Sequence, residues 1–230
     1  MGHQGFFLMI NHWIFDLDGT LLDTAPDLAR AIDDTLKAFG LPGVTLAETK
    51  QFIGGGAKQF VKAALRGKGE DPTFFETFFA AYMERYEAYQ LEGSGTYPGI
   101  DQVLAFLQKR GDHAYVFSNK PHPLTTALVA KVFPGVFKGV LGHHLSQLPK
   151  PDGTMFHRFA KEHQLDLTQA VMIGDGIPDL QFSQRVNIPS IAVTYGYTEK
   201  ATLLAYHPTQ VVETPLEILE AIKRVEKNQQ

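Results

Sequence analysis

The sequence predicts an α/β protein, a mostly parallel sheet with helices between its strands and an all-helical stretch inserted after the first strand. Three observations predict it. The apolar run Trp13-Ile14-Phe15 stops abruptly at two carboxylates, Asp16 and Asp18, with Gly19 and Thr20 close behind. From about residue 98 to the end, short apolar runs alternate with stretches of helical spacing. Between these two regions, residues 23–93 carry helical spacing alone.

Composition narrows the class of molecule. A chain of 230 residues can bury a substantial core as one large domain or two small ones. Hydrophobic content of 44% and charged content of 20% are those of a soluble globular protein. A net charge of −4 argues against a nucleic-acid surface. The absence of cysteine excludes disulfides, thiolate catalysis and zinc–sulfur sites, and is compatible with a cytoplasmic location. The apolar run Phe6 to Ile10 is too short for a signal peptide or a membrane span, so no membrane partner is expected. Met9 is a candidate natural start, with residues 1–8 an extension.

Each element has its own signal. Trp13, Ile14 and Phe15 suit a strand buried on both faces, as in a parallel sheet. Thr24 is placed to cap a helix, Pro26 falls in its first turn and Gly40 closes it, with Leu28, Ala31, Ile32, Leu36 and Phe39 at helical spacing. Thr45 and Glu48 have capping-box spacing. Gly54-Gly55-Gly56 then leads into a helix through Phe60, Val61, Ala64 and Leu65. A longer helix carries Phe75, Phe78, Phe79, Tyr82, Tyr86 and Tyr89 at three- and four-residue steps, an aromatic stripe that reads as packing core. Linker composition at 91–98 ends the insert. Beyond it, strands are expected at Ala114–Phe117, near Val140 and Leu141, at Ala170–Ile173 and at Ser190–Val193. Helices are expected at Gln102–Lys109, Thr125–Val132, Thr154–His163, Pro178–Gln184 and Pro215–Val225.

Four strand or loop ends carry reactive groups. Asp16 and Asp18 leave the first strand at its carboxyl end, where open α/β sheets bind ligands. Their crowding suits a cation between them or a carboxyl held protonated, although Asp-Gly is also a common turn. Ser118 and Asn119 suit phosphate oxygens, although taken alone a Ser-Asn pair is more often the cap of the next helix. Lys150 sits between Pro149 and Pro151, so its ammonium is either presented from a stiff loop or simply exposed. Gly174-Asp175-Gly176 with Asp179 repeats the layout of the first strand end. Acids from two such exits need a cation, and hard oxygen ligands select Mg²⁺. With Ser118, Asn119 and Lys150 as donors, these are the parts of metal-assisted phosphoryl transfer.

In that order, the segments Asp16-Leu17-Asp18-Gly19-Thr20, Ser118-Asn119, Lys150 and Gly174-Asp175 with Asp179 resemble the four motifs of the haloacid dehalogenase superfamily. The likeness extends to its phosphoglycolate phosphatases through Asp-Gly-Thr-Leu-Leu-Asp-Thr, Ile-Gly-Gly-Gly, Tyr-Pro-Gly-Ile and Ser-Asn-Lys-Pro. The chain differs in carrying Ser118 where Thr is commoner, and in the residues that follow Lys150-Pro151. The resemblance implies a Rossmann-like α/β core, residues 1–22 and 94–230, with an inserted α-helical cap, residues 23–93. It further implies a Mg²⁺-dependent phosphatase acting on a small-molecule phosphomonoester, phosphoglycolate or a sugar phosphate, as a monomer or homodimer. Asp16 would be the nucleophile, forming an aspartyl-phosphate, and Asp18 the general acid and base. Asp16, Asp175 and the backbone carbonyl of Asp18 would hold the metal, with Asp179 and Thr20 in support. Lys150 would offset charge, and Ser118 and Asn119 would bind phosphate.

Within the insert, Gly54–Gly56 could bring amides such as that of Gly55 to a small anion and Lys58 could meet a carboxylate, or the glycines could merely separate two helices. His122, His143 and His144 are expected as exposed loop histidines. A phosphomutase of the same superfamily would share every core residue. A phospho-accepting signalling module also uses an acidic cluster, a hydroxyl and a lysine on a parallel sheet.

Overall fold

A computed structural model describes residues 10–227; the candidate start Met9 and the extension 1–8 lie outside them. The chain begins with β1 (His12–Phe15) and β2 (Leu22–Asp23). Four helices follow, α1 (Ala25–Ala38), α2 (Leu46–Phe52), α3 (Ala57–Leu65) and α4 (Pro72–Tyr89), then β3 (Gly95–Thr96). The alternating half comprises α5 (Ile100–Arg110), β4 (His113–Pro121), α6 (His122–Val132), β5 (Gly139–His143), α7 (Thr154–Glu162), β6 (Ala170–Gly174), α8 (Ile177–Arg185) and β7 (Ser190–Val193). It closes with α9 (Lys200–Leu204), β8 (Gln210–Val212) and α10 (Ile218–Lys227). No described helix is long and apolar enough to cross a membrane.

β5, β4, β1, β6, β7 and β8 form one sheet in that order, and every pairing is parallel. The α/β class predicted from strand–helix alternation is therefore the observed one. The pleat sorts the apolar runs onto two faces. Trp13, Phe15, Val116, Val171 and Ile173 pack with Val103, Leu107 and Ile222 on one side. Ile14, Tyr115, Phe117 and Met172 pack with Phe156, Phe159 and Phe182 on the other. Burial on both faces explains why these strands read as unbroken apolar runs.

The chain enters the sheet at its centre. β1 lies between β4 and β6, and successive strands are added first on one side and then on the other. A crevice opens at the carboxyl end of β1, where the winding reverses. The predicted strand Ala114–Phe117 extends through Pro121, with a register shift against β5 between Phe117 and Pro121. Ser118 and Asn119 therefore sit in a strand end rather than in a helix cap. β8, α9 and the two-residue pair β2–β3 had no counterpart in the sequence reading.

Helices α1–α4 have their own core. Leu28, Ile32, Leu36, Phe60, Val61, Phe75, Phe78, Tyr82 and Tyr86 are buried together, and Leu124 of α6 joins them. The aromatic stripe is thus packing core, with Phe75 stacked on Phe79 at 5.9 Å and Tyr82 on Tyr86 at 6.0 Å. Thr45 and Glu48 form the predicted capping box at the start of α2.

The return connection from α4 is tied down by one buried carboxylate. Asp27, in the first turn of α1, accepts from the amides of Leu91 at 2.9 Å, Gly93 at 2.7 Å and Ser94 at 3.2 Å, and from the Ser94 hydroxyl. The antiparallel pair β2–β3 lies beside this knot. Asp27→Ala leaves those donors without an acceptor and is expected to cost about 3 kcal/mol of stability. Urea unfolding at unchanged m-value is the check, and a loss below about 0.5 kcal/mol would show that the knot is not structural.

Candidate active site

The crevice at the carboxyl end of β1 collects groups from four strand or loop ends. Asp16 and Asp18 leave β1, and Ser118, Asn119 and Lys120 end β4. Lys150 lies in the connection from β5 to α7, and Asp175 and Asp179 follow β6. Helices α1, α3 and α4 roof a cleft over them, lined from that side by Leu28, Phe60, Tyr82, Met83 and Tyr86.

The turn after β1 brings the acids together. The amides of Leu21 and Leu22 both donate to the Leu17 carbonyl at 3.0 Å, folding residues 17–22 into a tight loop. Gly19 has φ +86°, and a Cβ there would lie 2.3 Å from Asp175 Oδ2. Glycine is thus required twice, for the left-handed backbone and for the approach of Asp175. On the other flank, a Cβ at Gly196 would lie 2.4 Å from Asp175. Thr20 Oγ1 donates to Asp175 Oδ1 at 3.0 Å and accepts the Asp175 amide at 3.1 Å, while the Tyr197 amide donates to Asp175 Oδ2 at 2.8 Å.

Oxygens of Asp16, Asp175 and Asp179 lie within 4.8 Å of one another, all buried. Lys150, 3% exposed, stands among them. Its Nζ donates to the Phe117 carbonyl at 2.6 Å and to Asp179 Oδ1 at 2.7 Å, and makes a charge contact with Asp16 Oδ1 at 3.0 Å. Asn119 locks this loop by accepting the Lys150 amide at 2.6 Å, and its Nδ2 donates to the Lys150 carbonyl at 3.2 Å and to the Gly54 carbonyl at 2.9 Å.

The charge balance is unfavourable with protein groups alone. Burial pushes Asp175 well above the usual carboxylate range, and the charges of Asp16 and Asp179 push it further. Burial likewise takes Asp179 up to about 7, with Lys150 pulling down and Asp16 pushing up. Burial would lower Lys150, but the neighbouring Asp16 and Asp179 outweigh it and hold the ammonium charged. One ammonium faces three carboxylates, so the cluster is short of positive charge.

A hard divalent cation fits these residues. Asp16 Oδ1 is buried yet accepts no hydrogen bond, because its contact with Lys150 is not aligned as one. A carboxylate oxygen that accepts no hydrogen bond, beside a second buried carboxylate, is a donor set that oxygen-seeking cations take up.

A family model described as haloacid dehalogenase-like hydrolase matches residues 13–193. The chain belongs to that family. Among curated relatives, phosphoglycolate phosphatase 1 of Pseudomonas aeruginosa is 30% identical over 214 residues, covering 90% of this chain and 77% of that protein. Phosphoglycolate phosphatase of Rhodobacter capsulatus is 34% identical over 187 residues, covering 80% and 84%. A haloacid dehalogenase-like hydrolase from Streptococcus pneumoniae superposes with a TM-score of 0.82 at 25% identity, covering 92% of this chain and 98% of that one.

In this haloacid dehalogenase-like hydrolase the structure brings Asp16, Asp18, Ser118, Asn119, Lys150, Asp175 and Asp179 to one cleft. Two expected residues stand apart. Lys58 is exposed and pairs with Glu76 at 3.2 Å, and Gly55 packs toward Gln59 while Gly54 and Gly56 line the cleft. Lys58 is the second residue of α3, two beyond the Gly56 N-cap, where helix geometry turns its side chain outward. Of the three histidines expected in exposed loops, only His144 is exposed; His143 ends β5 and is buried, and the half-buried His122 ring accepts the Gly142 amide at 3.1 Å.

Asp18 points away from the acid cluster. Its Oδ1 accepts from Thr24 Oγ1 at 2.6 Å and from Lys120 Nζ at 3.0 Å. Thr24 thus occupies the N-cap position of α1 without capping it. The Tyr197 hydroxyl takes up the amides of Thr24 and Ala25 instead, at 2.8 and 3.0 Å, and donates to Asp23. Lys120, Tyr86 and Tyr197 were not singled out from the sequence. Only the adjacency of Lys120 to Ser118 and Asn119 could have pointed to any of them.

Proposed function

We propose that the chain is a Mg²⁺-dependent phosphatase that hydrolyses a small-molecule phosphomonoester, phosphoglycolate or a sugar-phosphate-like compound, through an aspartyl-phosphate at Asp16. The reading rests above all on one observation, the convergence of Asp16, Asp175 and Asp179 around Lys150 with Asp18 alongside. The phosphoglycolate phosphatases among the curated relatives support it.

In this mechanism a carboxylate oxygen of Asp16 attacks phosphorus and the bond to the leaving alkoxide breaks. Asp18 donates its proton to that alkoxide, then takes one from the water that attacks phosphorus and releases Asp16 as inorganic phosphate departs. Asp16, Asp175 and the backbone carbonyl of Asp18 would hold the cation, which supplies positive charge for the phosphoryl oxygens. Lys150 offsets the charge of Asp16, so that an anionic nucleophile can approach a phosphate dianion. Ser118, Asn119 and the amides after Asp16 hold the transferring phosphoryl oxygens. Asp179 fixes Lys150, and Thr20 fixes Asp175.

Residues 23–93 act as a cap over residues 1–22 and 94–230, excluding water during transfer. The enzyme would work in the cytoplasm as a monomer or homodimer. The test is phosphate release from a panel of phosphorylated metabolites that includes 2-phosphoglycolate and hexose phosphates. Activity is expected with Mg²⁺ and is expected to fall to background after chelation by EDTA. Full turnover in EDTA, or none with any ester in Mg²⁺, would refute the proposal.

A further inference from the structure

One buried cation in the cleft has no part in the mechanism above. Lys120 is 5% exposed at the end of β4, and its Nζ lies 3.0 and 3.3 Å from the two oxygens of Asp18. It also donates to the Tyr86 hydroxyl of α4 and stands 4.4 Å from the centre of that ring. Burial and the nearby Asp18 charge hold the Tyr86 phenol protonated, so it orients the ammonium without neutralising it.

Among the described residues that line the cleft, the cations are Lys120 and Lys150. Lys150 is committed to Phe117, Asp179 and Asp16 on the phosphoryl side. Lys120 lies beyond Asp18, on the side where the group attached to the ester oxygen must sit. From the helical side the cleft is lined by Leu28, Ile53, Ala57, Phe60 and Met83, together with Tyr82 and Tyr86. An ammonium has three N–H bonds, and here Asp18 and Tyr86 occupy two directions. An anion on the leaving group would share the Lys120 ammonium with Asp18, and in a partly desolvated cleft a charge-assisted hydrogen bond to it is strong.

We propose that Lys120 is the specificity-determining residue of this site, selecting phosphoesters whose leaving alcohol carries a carboxylate within two or three bonds of the ester oxygen. The inference rests on the phosphatase reading and goes beyond it by choosing carboxylated short-chain alcohols over sugars. It also moves the anion-reading role from Lys58, which lies outside the cleft, to a lysine of the core. Lys120 reaches the leaving group from the core while Tyr86 holds it from α4, so the contact forms only with the helices docked on the sheet.

The experiment compares kcat and KM for 2-phosphoglycolate and for its uncharged counterpart 2-hydroxyethyl phosphate, in Mg²⁺, for wild type, Lys120→Met and Lys120→Arg. Wild type is expected to prefer the carboxylated ester. Lys120→Met should lower that preference about 10- to 100-fold, mainly through a raised KM for 2-phosphoglycolate, with partial recovery in Lys120→Arg. Neutralising Asp18 as a purely structural role would slow both esters alike and leave the ratio intact. An unchanged ratio, or a wild type with no preference for the carboxylate, overturns the proposal. Product inhibition tests it without any variant, since glycolate should compete with substrate far better than ethylene glycol, and equal weak inhibition counts against it. Hydrolysis of p-nitrophenyl phosphate by the wild type separates the two readings. If that activity is present and the ratio is insensitive to residue 120, only the role of Lys120 fails; if wild type hydrolyses no ester, both readings fail.

Discussion

An Asp16→Asn enzyme is expected to release no phosphate from p-nitrophenyl phosphate or from any natural ester, with kcat reduced by at least about 10⁴-fold. The amide has the size and shape of the carboxylate, so the cleft keeps its form. It cannot supply the electron pair that forms the bond to phosphorus. The loss should fall almost wholly on kcat, because Lys150, Ser118 and Asn119 still offer their donors to the phosphoryl group. Stability should not suffer, because the change removes one of three clustered carboxylates, two of which contact the single ammonium of Lys150. Phosphate release and thermal unfolding, measured on one preparation, separate the two quantities. Activity above about 1% of wild type in a correctly folded variant would remove Asp16 from the nucleophile's role, and with it the proposed covalent intermediate.

The parts of this site that could be read from the sequence are those in which local chemistry and position coincide. Asp16 and Asp175 each follow a run buried on both faces of a parallel sheet, so an acid there announces a strand end. Lys150 was legible because two prolines frame it. The capping box at Thr45 and Glu48 and the aromatic spacing of α4 follow from contacts within a few residues of each other.

What stayed hidden depends on contacts between distant segments. Lys120 is significant only because α4 delivers Tyr86 and β1 delivers Asp18, separated from it by 34 and 102 residues. Thr24 looked like a helix cap, but Tyr197, 173 residues away, takes over the amide and frees the hydroxyl for Asp18. The glycines before Lys58 leave it open whether that lysine meets a ligand or solvent, because position along the chain does not say which way a helix faces. β2 and β3 are two residues each, too short for any periodicity to reveal.

Asp175→Asn should separate stability from activity in the opposite direction, stabilising the metal-free protein while disabling the enzyme. Burial and two neighbouring carboxylates raise Asp175 above its ordinary value of 3.8, and Asp179 rises to about 7. Groups raised on folding hold protons more tightly in the folded than in the unfolded chain. Their contribution to stability is therefore fully present below about 3.8 and is lost as pH rises through the folded values. Without a divalent cation, the charge crowding in the wild type grows as pH rises and more of the cluster ionises. The variant escapes part of it, and its Tm is expected to be higher by about 2–8 °C, equivalent to 1–2 kcal/mol in a chain of this size. The difference should shrink toward pH 5. His12, lowered to about 4 by burial, makes the wild type more stable as pH rises toward 6.5, so the difference between the two proteins is the readout rather than either Tm alone. Added Mg²⁺ should raise the Tm of the wild type by relieving the same crowding, and should do little for the variant, whose turnover in Mg²⁺ should fall about 10³-fold. Calorimetric scans at pH 5.5 and 8, with and without Mg²⁺, decide the matter. A variant no more stable than wild type at pH 8, or one that responds equally to Mg²⁺, would mean that the three acids do not form a cation site.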